Sequence, residues 1–219
     1  TLINIDDEQL GIEDSLDLKI SDALPLIQNR IMTATTYCGI KTLKNPMDFW
    51  VYQEIIYAQR PDIIIEIGNN WGGSTLALAH YLDNIGHGRI IGVDISHNKL
   101  IDKVRSHPRI SWIEDDAISA FEQVQKQISN GERVLVIEDS AHTFDNTLKV
   151  LETYSPLIPD GGYFIVEDSI CHHGLDVGSN PGPYEAITEF VSKRSDFIID
   201  RSKESFLITW NPKGFLRKC

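Results

Sequence analysis

The pattern of apolar and polar positions divides the chain near residue 62. Before that point apolar residues recur at helical spacing. Leu18, Leu24, Ile27 and Ile31 predict a helix over 16–32, with Pro25 a point where it breaks or restarts. Val51, Ile55 and Ala58, with Tyr52 and Ile56, predict a second helix over 49–59 that Asp48 would cap. Residues 1–15 are acidic and weakly patterned and read as a loose arm, and 33–46 has no period and reads as a loop lying over something. After residue 62 short apolar runs alternate with helical patterns. Strands are predicted at 63–67, 89–94, 109–114, 133–137 and 163–166. Helices are predicted from Ser74, over 96–106, from a cap at Asp116 to Asn130-Gly131, over 144–154 and over 184–194. Two last runs, 197–200 and 206–210, read as a terminal hairpin that adds one antiparallel strand. Such alternation predicts a parallel, doubly wound sheet with helices on both faces.

The first strand carries the sharpest local signal. Ile63-Ile64-Ile65-Glu66-Ile67 runs into Gly68-Asn69-Asn70-Trp71-Gly72-Gly73, and Ser74-Thr75 opens an apolar helix. Glycines let a ligand approach the backbone, and free N–H groups at the helix start make a polar cradle for a nucleotide-like molecule. The spacing departs from the G-x-G-x-x-G of dinucleotide sites. It is closer to the acidic-x-Gly-x-Gly-x-Gly run of S-adenosylmethionine (SAM) methyltransferases, with Asn70 in the place of the middle glycine. Read alone, the stretch also admits a tight strand–helix turn that binds nothing.

In such sheets ligands bind beyond the carboxyl ends of the strands. Those ends are acidic here: Glu66, Asp94, Asp115-Asp116, Glu138-Asp139 and Glu167-Asp168. Like charges on one edge need a hydroxyl-rich ligand, backbone donors or a cation. Asp94 stands where a carboxylate accepts from ribose hydroxyls, and Asp116 could accept from an adenine amino group or serve only as a helix cap. Asp139, Glu167 and Asp168, from neighbouring strand ends, offer three hard oxygens suited to Mg²⁺, and Glu138 competes with Asp139 for that place. His142 follows Asp139 by three residues and is a candidate base. His172-His173 lies in a glycine-bearing loop, 169–183, that could close over a substrate.

Composition narrows the classes. A net charge of −12 argues against a nucleic-acid backbone as partner. Three cysteines without a C-x-x-C imply neither a disulfide framework nor a zinc site and fit a reducing cytoplasm. No run reaches the ~18 apolar residues of a membrane span, and no signal peptide is visible. The chain opens on Thr1, so an initiator and further residues are open to having been removed.

Several runs together carry a family resemblance. They are Tyr37-Cys38-Gly39-Ile40-Lys41 with Asn45-Pro46-Met47-Asp48-Phe49-Trp50, Ile65-Glu66-Ile67-Gly68 with Gly72-Gly73-Ser74, and Ile91-Gly92-Val93-Asp94. Asp139-Ser140-Ala141-His142, residues 162–168, Pro181-Gly182-Pro183 and Pro212-Lys213-Gly214-Phe215-Leu216 complete them. Over residues 35–219 the chain resembles the SAM-dependent O-methyltransferases related to cephalosporin hydroxylase-type and rhamnosyl O-methyltransferases. The resemblance implies an α/β fold: a Rossmann-like, doubly wound sheet of seven strands, the last antiparallel, with an N-terminal helical cap. It implies an arm, helix and lid segment over 1–47 and a methyltransferase domain over 48–219. It implies SAM held by Glu66, Gly68, Asn70, Gly72, Ser74, Asp94 and Asp116, and Mg²⁺ held by Asp139, Glu167 and Asp168. His142, with Asp139, would be catalytic. The acceptor would be a hydroxyl of a sugar, glycolipid or antibiotic-like molecule, and the chain has room for a homo-oligomer. The rival readings are an NAD-dependent oxidoreductase and a non-catalytic binding module.

Overall fold

The computed structural model describes residues 11–219, so most of the expected N-terminal arm lies outside the described residues. Helix α1 (Ile20–Ala34) is followed by a small hairpin, β1 (Thr36–Tyr37) and β2 (Ile40–Lys41), and by α2 (Pro46–Gln59). Then come β3 (Ile63–Ile67), α3 (Gly73–Ile85), β4 (Arg89–Asp94), α4 (Asp102–Arg105), β5 (Ile110–Glu114), α5 (Phe121–Gln125) and β6 (Val134–Glu138). The chain closes with α6 (Phe144–Tyr154), β7 (Tyr163–Val166), α7 (Pro183–Ser192), β8 (Phe197–Ile199) and β9 (Phe215–Lys218). The seven-stranded sheet has the order β5-β4-β3-β6-β7-β9-β8. Strands β3 to β7 run parallel, and β9 pairs antiparallel with both β7 and β8. The expected seven strands with one antiparallel member are therefore present.

Period-two alternation builds two cores. Ile63, Ile65, Ile67, Val134, Val136, Phe164 and Val166 face α5, α6 and α7. Ile64, Leu135, Ile137, Tyr163 and Ile165 face α2 and α3. From β3 the chain winds outward through β4 to β5, then returns to place β6 on the other side of β3. The crevice between the ends of β3 and β6 is the topological switch point.

Local departures from the sequence expectation have physical causes. The first helix runs past Pro25, which sits inside it as the sixth residue and leaves the Ser21 carbonyl without its intrahelical N–H. The segment expected as a loop pairs as β1–β2. Asn45, not Asp48, caps α2, its side-chain oxygen accepting from the Met47 N–H at 3.2 Å. The helices after β4 and β5 are one turn or little more; the rest of each run is turns. The last strand pairs at 215–218 rather than 206–210. The earlier run instead sends Thr209 and Trp210 inward to α1 and α2, where Ile208 and Trp210 pack with Leu24 and Ile31.

Asp48 shows how tightly α2 is tied to that segment. Its carboxylate accepts from the Thr209 hydroxyl at 2.5 Å, the Trp210 N–H at 2.8 Å and Asn45 Nδ2 at 2.9 Å. Burial raises its pKa to about 6 against these three donors. A carboxyl whose folded pKa is raised stabilises most below its unfolded pKa and loses that contribution as pH rises through the folded value. The stability of the wild type relative to Asp48→Asn, which keeps the shape but does not titrate, should therefore fall between pH 3.8 and about 6. Urea unfolding of both proteins across that range measures it.

Candidate active site

The carboxyl ends of the parallel strands border a cavity of about 970 Å³. One end is lined by Gly68, Asn69, Asn70, Gly73, Ser74, Asp94, Ile95, Asp115, Asp116 and Ala117. The other is lined by Gln28, Ile31 and Met32 of α1, with Leu43, Ile170, Cys171, Leu175, Val177 and Trp210. Lys44, Asp139, His142 and Asp168 lie on the wall as well.

The glycine loop is held from two sides. Asp94 Oδ2 accepts from the N–H groups of Asn69 at 2.7 Å and Asn70 at 2.8 Å, and Oδ1 accepts from Ser96 N–H at 3.1 Å. Glu66 is fully buried and does not line the cavity. Its carboxylate accepts from Thr75 Oγ1 and from Asn69 Nδ2, which ties strand β3 to the start of α3. Asn70 stands at φ +50°, a conformation asparagine tolerates better than most residues, which explains its substitution for the expected glycine. Asp116 Oδ1 accepts from Ile118 N–H at 2.9 Å, so it closes the turn before α5 while also facing the cavity. Ile95, 76% exposed at the end of β4, offers a flat apolar surface beside it.

Across the crevice the acidic strand ends separate by parity. Glu138 shares the face of Val134 and Val136; its Oε1 accepts from Ser140 Oγ at 2.7 Å and Asn146 Nδ2 at 3.2 Å. Burial raises its pKa to about 7. Asp139 and Glu167 fall on the opposite face, and there the structure supplies a residue that the sequence pattern does not single out. Lys44 Nζ donates to Asp139 Oδ2 and to Glu167 Oε1, both at 2.5 Å. Burial alone would push the ammonium pKa down, but the charges of Asp139, Glu167 and Glu66 outweigh it and hold Lys44 above its ordinary value. Facing the cavity, Asp139, His142 and Asp168 each place a ligand atom within 4.8 Å of the others. His142 Nε2 is 3.3 Å from Asp168 Oδ2 and 3.6 Å from Asp139 Oδ1. Burial lowers its pKa, and the carboxylates of Asp168, Asp139 and Glu138 raise it further than burial lowers it. His142 and Asp168 both adopt positive φ, +51° and +55°, a backbone cost borne at the cavity wall. His172 and His173 turn away, the first 2.8 Å from Asp176 and the second 2.5 Å from Glu185.

The model of the family described as rhamnosyl O-methyltransferase/CmcI matches residues 29–219. The chain belongs to that family. It is a SAM-dependent O-methyltransferase, and the oxidoreductase and non-catalytic readings give way. It is 36% identical over 196 residues to a rhamnosyl O-methyltransferase of Mycobacterium bovis, covering 86% of this chain and 80% of that one. It is 34% identical over 195 residues to the rhamnosyl O-methyltransferase of Mycobacterium leprae, covering 86% and 85%. Among solved structures it is similar to CmcI with Mg and SAM, with a TM-score of 0.68, 21% identity and coverage of 87% and 84%. That likeness shows the Rossmann-like methyltransferase fold. Among the described residues no helix is long and apolar enough to cross a membrane.

Gly68 joins the two halves of the site. At φ +89° its added Cβ would lie 2.0 Å from the backbone oxygen of Asp139. Gly161 has a similar φ of +78° but open space around it. Gly161→Ala should therefore cost only backbone strain, about 1–2 kcal/mol. Gly68→Ala should cost more and also weaken SAM at least tenfold, as read by thermal melts and calorimetry.

Proposed function

We propose that this enzyme transfers the methyl group of SAM to a hydroxyl of a sugar or small natural product, and that Mg²⁺ among Asp139, Glu167 and Asp168 assists. The observation that carries the metal reading is the donor set at the end of β6 and β7. The carboxylates of Asp139 and Asp168 converge on the cavity wall as hard oxygens suited to a divalent cation, with the His142 imidazole beside them as the base. Glu167, the third expected ligand, stands outside that group of three and shares the Lys44 ammonium with Asp139. The apolar end of the cavity, from Ile31 to Trp210, supports an acceptor with an apolar face, and Gln28 offers a polar group beside it. The rhamnosyl names of the relatives support a sugar hydroxyl.

The chain's own groups then divide the work. The glycine loop and Asp94 hold the cofactor's adenosine end, Ile95 and Ala117 flank it, and Asp116 faces the base. A bound divalent cation would hold the acceptor oxygen and lower its pKa. Asp139 and Asp168 orient the acceptor hydroxyl toward the sulfonium methyl, a gain of proximity. His142 takes the hydroxyl proton on Nε2, a contribution of about 10²–10⁴-fold. Helix α1 and the segment 169–183 wall off water.

Asp94→Ala should weaken SAM by roughly 1–3 kcal/mol in calorimetry, because three backbone donors lose their acceptor. Asp139→Asn should abolish methyl transfer with SAM affinity mostly kept, and His142→Ala should slow turnover with metal affinity nearly unchanged. EDTA should stop the reaction and Mg²⁺ restore it; full activity after exhaustive chelation, verified by elemental analysis, rules out the metal.

A further inference from the structure

Lys44 has no place in the chemistry above, yet it is among the most constrained side chains of the cavity wall. It is 6% exposed and reaches two carboxylates from neighbouring strands. Its backbone is fixed on three sides. Thr42, two residues before, is buried against the start of α3, so closely that a Cβ on Gly73 would lie 2.0 Å from the Thr42 hydroxyl. Asn45 caps α2, and Asp48 ties that helix to Thr209 and Trp210. The ammonium is thus delivered to one point by a rigid frame.

Resting on the metal reading above, we propose that Lys44 is the positioning residue of the divalent centre. It occupies Asp139 Oδ2 and Glu167 Oε1, turns Asp139 Oδ1 toward Asp168 and His142, and offsets part of the negative charge that would otherwise draw the cation in. A permanent positive charge beside a divalent site repels the ion. Lys44 therefore sets the geometry of the carboxylates at the expense of affinity, and the ion is held in exchangeable form.

This assigns two effects of opposite sign to one residue. Lys44→Met removes the charge and keeps the length of the side chain. Mn²⁺ serves as the probe, its binding followed by electron paramagnetic resonance with no SAM or acceptor present. The expected result is Mn²⁺ binding at least tenfold tighter than in the wild type, together with a kcat at least tenfold lower at saturating Mg²⁺. Lys44→Arg, which keeps the cation and both carboxylate partners, should bind Mn²⁺ within about threefold of the wild type. Thermal melts establish that each variant is folded, and Lys44→Gln takes the place of the methionine variant if that one is not. Equal or weaker Mn²⁺ binding in the folded, uncharged variant overturns the proposal and leaves Lys44 a structural ion-pair partner. A wild-type protein that binds no Mn²⁺ overturns the metal reading itself, a different result from the first.

Discussion

Three carboxylates on the same face of three adjacent strands are the constraint that shapes this molecule. Glu66 on β3, Asp139 after β6 and Glu167 after β7 all point toward the side covered by α2 and α3. Burying like charges together is costly unless a cation or hydrogen-bond donors answer them. Glu66 is answered by Thr75 and Asn69, and Asp139 and Glu167 by Lys44. The remaining carboxylate, Asp168, lies on the other side of its strand and faces the cavity with His142. Asp139 joins the two groups: its Oδ2 accepts from Lys44, while its Oδ1 lies 3.6 Å from His142 on the cavity side.

That arrangement depends on how the N-terminal third is anchored. The stretch from Thr42 to Asn45 has no regular structure, but it is packed under α3 and leads into α2, whose Asp48 bonds Thr209 and Trp210. Trp210 in turn donates from Nε1 to Gln28 on α1 at 2.6 Å. One chain of contacts thus runs from the ammonium that holds the acidic cluster to the helix that walls the apolar end of the cavity. Opposite it, Asp94 holds the glycine loop by its N–H groups, so both halves of the cavity are shaped by carboxylates already bonded before any ligand enters.

The parallel sheet and its switch point were readable because β-branched runs ending in acidic or glycine residues are strong local signals. Gly68 and Asp94 stand together at the crevice for the same reason. Short helices were overextended, since 96–106 and 116–128 carry helical apolar spacing that turns satisfy equally well. The last strand falls elsewhere because Ile208 to Trp210 serves a different purpose, packing on α1 and holding Asp48. Lys44 was missed although a signal existed. Strand parity separates Glu138 from Asp139 and sets Glu66, Asp139 and Glu167 on one side, and that arrangement requires a cation. Nothing local marks Lys44 as the residue that supplies it, because its position comes from tertiary anchoring of an aperiodic segment.

The most direct test of the account is anomalous scattering from crystals of the wild-type enzyme grown with S-adenosylhomocysteine and Mn²⁺. One strong peak is expected within coordination distance of Asp139 and Asp168, beside His142, with Lys44 still bonded to Asp139 and Glu167. A cavity without a peak at saturating Mn²⁺, or a peak held by residues away from the ends of β6 and β7, would contradict it.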